Sequence, residues 1–169
     1  QDFRLIPTMT AYENVAFAMR VTNIPERQIK RRVPYVLNLV GLAGKAHSLP
    51  QELSGGEQQR IALARALVHS PPIIIADEPI SALDVSIRAQ VLNLMAELQR
   101  RRGLTYLLIS HDLSVMRFIC DRIAVIHLGR IVELSSTEKL FAHPLHPYTR
   151  ALLSAIPLPD PAAEKRKVL

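Results

Sequence analysis

The chain has 169 residues, 49% of them hydrophobic, which is enough apolar material for a buried core. No apolar run approaches the length of a bilayer span and no secretory signal pattern heads the sequence, so a cytosolic protein is expected. The single cysteine, Cys120, excludes an internal disulfide, and the formal charge of +6 raises the question of an anionic partner.

In chain order, Thr10-Ala11-Tyr12-Glu13 has the pattern of a capping box and opens a helix to about Val21. Pro25 suits the first turn of a second helix with the apolar stripe Ile29, Val33, Val36, Leu37 and Val40, and Gly41 is placed to cap its end. Pro34 interrupts that stripe, which predicts a kink or break. Ser54, Gly55 and Gly56 lead into a third helix over Glu57 to Val68, making the stretch from Thr10 to Val68 all-helical. Ile73 to Ala76 and Thr105 to Ser110 read as buried strands bridged by an amphipathic helix from Val85 to Arg101, with Asp84 near its cap and Gly103 after it. That is one βαβ unit of a parallel sheet. Arg122 to His127 and Arg130 to Leu134 flank Leu128-Gly129 as a hairpin.

The basic clusters at Arg27–Arg32, Arg100–Arg102 and Lys165–Lys167 do not interleave with aromatic residues, and the first two fall on helices whose other face is apolar. They read as solvated faces, and no nucleic acid is expected. Of the six histidines, His47, His69 and His127 read as structural or surface residues, and no set has metal-ligand spacing. Cys120 reads as a small buried hydrophobe.

The chemistry concentrates elsewhere. Leu53-Ser54-Gly55-Gly56-Glu57-Gln58-Gln59-Arg60 offers phosphate oxygens a helix N-terminus, with free N–H groups, the positive end of the helix dipole and a hydroxyl. Glycine there lets the backbone approach an anion. Asp77 ends a strand, where a carboxylate can hold a hydrated Mg²⁺, and the adjacent Glu78 can orient an attacking water. Asp77-Glu78 and His111 both fall at the C-terminal edge of the expected sheet, where α/β ligands bind.

The ordered set Leu53–Arg60, Ile73–Pro79, Ser81-Ala82-Leu83-Asp84 and Ser110-His111 resembles the ATP-binding subunit of ABC transporters from Gln1 to about Pro161. The resemblance implies an α/β, P-loop NTPase-like fold: helical subdomain, parallel βαβ core, then a C-terminal hairpin and helical extension. By domain this is 1–68, 69–135 and 136–169. It implies ATP and Mg²⁺ as cofactors, with a second ATPase protomer and transmembrane permease subunits as partners. The expected location is peripheral, at the cytoplasmic face of the membrane. Gln1, beside Asp2, would be the loop glutamine that touches Mg²⁺ and water, and the helical subdomain would receive the permease. Ser54, Gly55, Gly56 and Glu57 would form the signature that contacts ATP held by the opposite protomer. Asp77 would serve the metal, Glu78 would be the catalytic base, Asp84 would cross the dimer, and His111 would bond the γ-phosphate.

The motif G-x-x-x-x-G-K-[ST] occurs nowhere in the sequence, so a fragment of a longer subunit is expected, inactive toward ATP by itself. His143-Pro144-Leu145-His146-Pro147-Tyr148-Thr149-Arg150, continuing to Pro157, resembles the C-terminal segment of oligopeptide, dipeptide and nickel importer ATPases. Gln1 to Val15 and the signature resemble instead the ABC ATPase of bacterial cell division. Peptide import is the leading expectation and a cell-division ATPase the alternative. A non-hydrolytic module that completes a partner's site in trans is the third.

Overall fold

The computed structural model describes residues 5–81 and 83–155. Gln1, expected to serve the nucleotide site, lies outside the described residues, as do Asp2 and Ala82. The chain forms two compact units, one ending at Ile109 and one beginning at Ser110.

The first unit begins with three helices, α1 (Ala11–Arg20), α2 (Glu26–Leu39) and α3 (Gly55–Leu67), with short 3₁₀ turns at Ala43–Lys45 and Pro50–Glu52. The capping box at α1 is formed: the Glu13 carboxylate accepts the Thr10 N–H at 2.8 Å while the Thr10 hydroxyl accepts the Glu13 N–H at 3.2 Å. The stripe Ile29, Val33, Val36 and Leu37 on α2 is buried to zero exposure. α2 ends in a Schellman motif: Gly41, at φ 71°, donates to Asn38 and Leu42 donates to Leu37.

Two expectations for α2 need correction. Pro25 is the N-cap, one residue before the first turn, and Pro34 does not break the helix, which runs continuously from Glu26 to Leu39. Pro34 lies on the exposed face, where water can satisfy the carbonyl that a proline nitrogen leaves without a donor.

Asn14 is a buried polar residue that the sequence did not single out. Its side chain donates to the carbonyls of Ile6, Met9 and Thr10 and accepts the Ile6 N–H at 2.8 Å, which fixes the segment entering α1. Both ends of the amide are thus engaged, its two N–H groups being shared among three carbonyls.

β1 (Ile73–Asp77) and β2 (Thr105–Ile109) pair in parallel, Ile73 opposite Thr105 and Asp77 opposite Ile109, across α4 (Val85–Arg102). Gly103, at φ 62°, ends α4. The βαβ unit is thus present, but its strands are not buried on both faces. Ile74 and Leu108 are 6% and 8% exposed, whereas Ile73, Ile75, Leu107 and Ile109 are 57%, 68%, 56% and 50% exposed. The apolar runs signalled two covered faces, and the described residues cover one.

The second unit carries α5 (Leu113–Ile119), the antiparallel hairpin β3 (Arg122–His127) and β4 (Arg130–Ser136), α6 (Thr137–Ala142) and α7 (Pro147–Ser154). Leu128 and Gly129 both have positive φ, 49° and 74°, the signature of a type I′ turn. A bulge at Val125/Ile126 shifts the register. The Glu133 carboxylate accepts the N–H groups of Leu145 and His146, both at 3.0 Å, holding the His143–Tyr148 segment to the hairpin. The Leu145 N–H is the main reason its carboxyl is held below the usual range. His127 stacks on Tyr148 at 3.9 Å, and the His146 ring caps α7 through the Tyr148 N–H.

Candidate nucleotide site

Ser54 is the N-cap of α3, which therefore begins at Gly55, two residues before the expected start. A second capping box closes here: the Glu57 carboxylate accepts from the Ser54 N–H at 2.8 Å and from its hydroxyl at 3.0 Å, and the Ser54 hydroxyl accepts the Glu57 N–H. The Ser54 N–H foremost holds the Glu57 carboxyl below its ordinary range. Among the described residues, the N–H groups of Gly55 and Gly56 make no hydrogen bond. The first turn of a 13-residue helix thus presents two unengaged donors beside an exposed serine.

Gly56 has a reason beyond anion approach. It is buried, and a Cβ built on it would overlap Ile87 Cγ2 of α4. The glycine lets the start of α3 lie against the first turn of α4, so the two segments Ser54–Glu57 and Asp84–Arg88 are held in direct contact.

Asp77 is the last residue of β1 and is exposed; Glu78 follows, half-buried, with its N–H donating to the Ile109 carbonyl at 2.9 Å. Glu78 has φ 48°, left-handed backbone that a glutamate rarely adopts. Both residues border a cavity of about 180 Å³ between α3, β1 and α4, which Gln59, Arg65 and Met95 also line. Asp84 is the exposed N-cap of α4, without a side-chain cap bond. Arg88, one turn on, donates to the Leu83 carbonyl at 2.6 Å and to the Ser81 carbonyl at 3.1 Å. Sequence reasoning passed over Arg88 because nothing in a helical pattern marks an arginine that folds back onto the preceding loop.

His111, the second residue of the second unit, is exposed between Ser110 and Asp112. The Asp112 N–H donates to the Ser110 hydroxyl at 3.1 Å, and the Asp112 carboxylate caps α5 through the N–H groups of Ser114 and Val115. Asp112, not His111, is the cap of that helix.

Two further features bear on partners. The sequence keeps aromatic residues apart from the basic clusters, but the fold brings Tyr35 to Arg32 and Arg102, each guanidinium 5.2 Å from the ring centroid. Cys120 is half-buried, and burial foremost pushes its thiol above the ordinary value. Among the described residues no group of three or more His, Cys, Asp or Glu is arranged to hold a metal, and no helix is long and apolar enough to cross a membrane.

Residues 1–81 match the family described as ABC transporter, and residues 132–169 match the family described as oligopeptide/dipeptide transporter, C-terminal region. The oligopeptide transport ATP-binding protein AmiF of Streptococcus pneumoniae serotype 4 is 60% identical over 145 residues, 85% of this chain and 47% of that protein. The oligopeptide transport ATP-binding protein OppF of Streptococcus pyogenes serotype M1 is 58% identical over 145 residues, again 85% and 47%. OppF of Bacillus subtilis is 52% identical over 167 residues, 97% of this chain and 55% of that protein, so one relative aligns across both matched segments. The chain spans about half the length of the curated relatives it matches. The two matched segments are thus similar to the ABC transporter family and to the oligopeptide/dipeptide transporter C-terminal region.

Proposed function

We propose that this chain supplies the signature and catalytic carboxylates of an ATP-hydrolysing ABC subunit that energises peptide import. Two protomers sandwich ATP beneath a membrane permease, at the cytoplasmic face. The observation that carries this reading is the pair of unengaged N–H groups on Gly55 and Gly56 in a chain whose β1 ends at Asp77 and is followed by Glu78. The three relatives named as oligopeptide transport ATP-binding proteins support the choice of solute. In this reading residues 1–68 include the region that receives the permease, 69–135 form part of the catalytic core, and 136–169 are the extension shared with peptide transporters.

The residues present fit a magnesium nucleotide. Mg²⁺ is characteristically held by one or two carboxylates with substrate phosphates and water, and Asp77, an exposed carboxylate at the end of β1, suits that mode. Asp77 and Gln1 would hold the ion, which when bound neutralises charge on the phosphates. Ser54 and the Gly55 and Gly56 amides, with Glu57 fixing the serine, would receive the γ-phosphate of ATP bound by the opposite protomer. Glu78 would accept hydrogen bonds from the attacking water and orient it, His111 would donate to the γ-phosphate, and Asp84 would reach across the dimer.

The test is Glu78→Gln in an ATP-binding subunit that carries these residues together with a phosphate-binding loop. Hydrolysis is expected to fall about 10²–10⁴-fold with ATP binding retained. Wild-type turnover in that variant would remove Glu78 as the base.

A further inference from the structure

We propose that Arg88 is a positioning residue that fixes the backbone of Glu78 from the first turn of α4. The proposal rests on the reading of Glu78 as the base. A left-handed backbone at a glutamate persists only where the surroundings over-determine it, and here a connected chain of five hydrogen bonds does so. The Ile109 carbonyl at the end of β2 receives the Glu78 N–H at 2.9 Å. The Glu78 carbonyl in turn receives the Ser81 N–H at 3.3 Å and the Ser81 hydroxyl at 3.1 Å. The Ser81 and Leu83 carbonyls then receive the Arg88 guanidinium, half-buried against the loop.

Packing adds to these bonds. Ile80 and Leu83 are 3% and 4% exposed, so their buried side chains anchor the loop while Arg88 holds two of its carbonyls. The guanidinium is a planar fork that can donate to two carbonyls at once in fixed geometry; an ammonium group is a point donor on a flexible stem. Leu83 immediately precedes Asp84, the residue expected to cross to the other protomer. The same guanidinium therefore touches the crossing loop and, through Ser81, the carboxylate-bearing residue. Closure at Asp84 is thereby tied to the placement of Glu78.

The experiment compares Arg88→Ala, Arg88→Lys, Glu78→Gln and the double variant Arg88→Ala/Glu78→Gln in the hydrolysis-competent subunit. Arg88→Ala is expected to lower kcat about 10²-fold, with KM for MgATP nearly unchanged, because a misplaced catalytic group costs rate and not nucleotide affinity. Arg88→Lys should recover only part of that loss, and it also carries the test where the alanine variant folds poorly. In the Glu78→Gln background the Arg88→Ala change should cost less than about twofold more, since groups that act as a unit are not additive. Multiplicative losses in the double variant, or a loss residing in KM, would overturn the proposal. Amide exchange separates this from the base assignment: the Ser81 N–H should exchange faster in Arg88→Ala whether or not Glu78 is the base. Unchanged protection at Ser81 would overturn the role of Arg88, whereas full activity in Glu78→Gln would overturn only the base.

Discussion

The helical stretch from α1 to α3 and the β1–β2 sheet draw on equally apolar sequence and close to different degrees. In the helices the stripe residues Ile29, Val33, Val36 and Leu37 reach zero exposure, while four of the strand residues, Ile73, Ile75, Leu107 and Ile109, stay half-exposed or more. A helix satisfies its own backbone and has one apolar stripe to bury, so three helices can close on one another. A parallel pair of strands is apolar on both faces, and α4 with α3 covers one of them. The difference teaches that the segment carrying Asp77 and Glu78 is the part of the first unit that depends most on further cover.

The sharpest way to break this comparison is within β1 itself. Ile74→Ala should destabilise by about 2–5 kcal/mol, as removal of a buried aliphatic side chain does. Ile75→Ala, on the open face, should stay within about 0.5 kcal/mol. Denaturant titration of the two variants measures both, and equal losses would mean that both faces are covered in solution. On the helical side, Asn14→Ala should cost about 2–4 kcal/mol, because it strands the Ile6 N–H and the carbonyls its amide served. A loss below about 0.5 kcal/mol by the same titration would show that water replaces those bonds.

Much of this fold was legible because the signals were local. The capping box at Thr10, the α2 stripe and the hairpin turn at Leu128-Gly129 each depend on residues within a few positions of one another. What was not legible depended on pairs distant in sequence or on conformation. The contact of Gly56 with Ile87 gives that glycine a packing role the motif alone did not suggest. The left-handed φ of Glu78, the return of Arg88 to Ser81 and Leu83, and the meeting of Arg32 and Arg102 on Tyr35 leave no trace in periodicity. The open face of β1 and β2 follows a further rule: an apolar run reports what a strand needs covered, not what covers it.

The smallest expected effect is on acid stability. The carboxyls of Glu57 and Glu133 are each held below the usual carboxylate range, foremost by the N–H groups of Ser54 and Leu145. A folded-state value below the unfolded one means the unfolded chain binds more protons. The stabilisation is therefore complete at pH values above the unfolded value and is lost as pH falls through the lower folded values. The thermal midpoint should be flat above about pH 5 and decline below about 4.5, by a modest amount because both groups are exposed to water. Glu57→Gln should flatten part of that decline; an identical acid profile would show that the box at Ser54 does not titrate with folding.

The central claim is that Ser54 and the Gly55 and Gly56 amides face ATP held by a second protomer. The most direct measurement is ATP-dependent dimerisation, followed by size exclusion, in the hydrolysis-competent subunit carrying Glu78→Gln to preserve bound nucleotide. The account predicts a dimer with MgATP in the Glu78→Gln protein. It predicts a monomer that still binds ATP when Ser54→Arg is added, because the bulk and charge of arginine at the N-cap obstruct the closed sandwich. A dimer of undiminished stability in the double variant would contradict it.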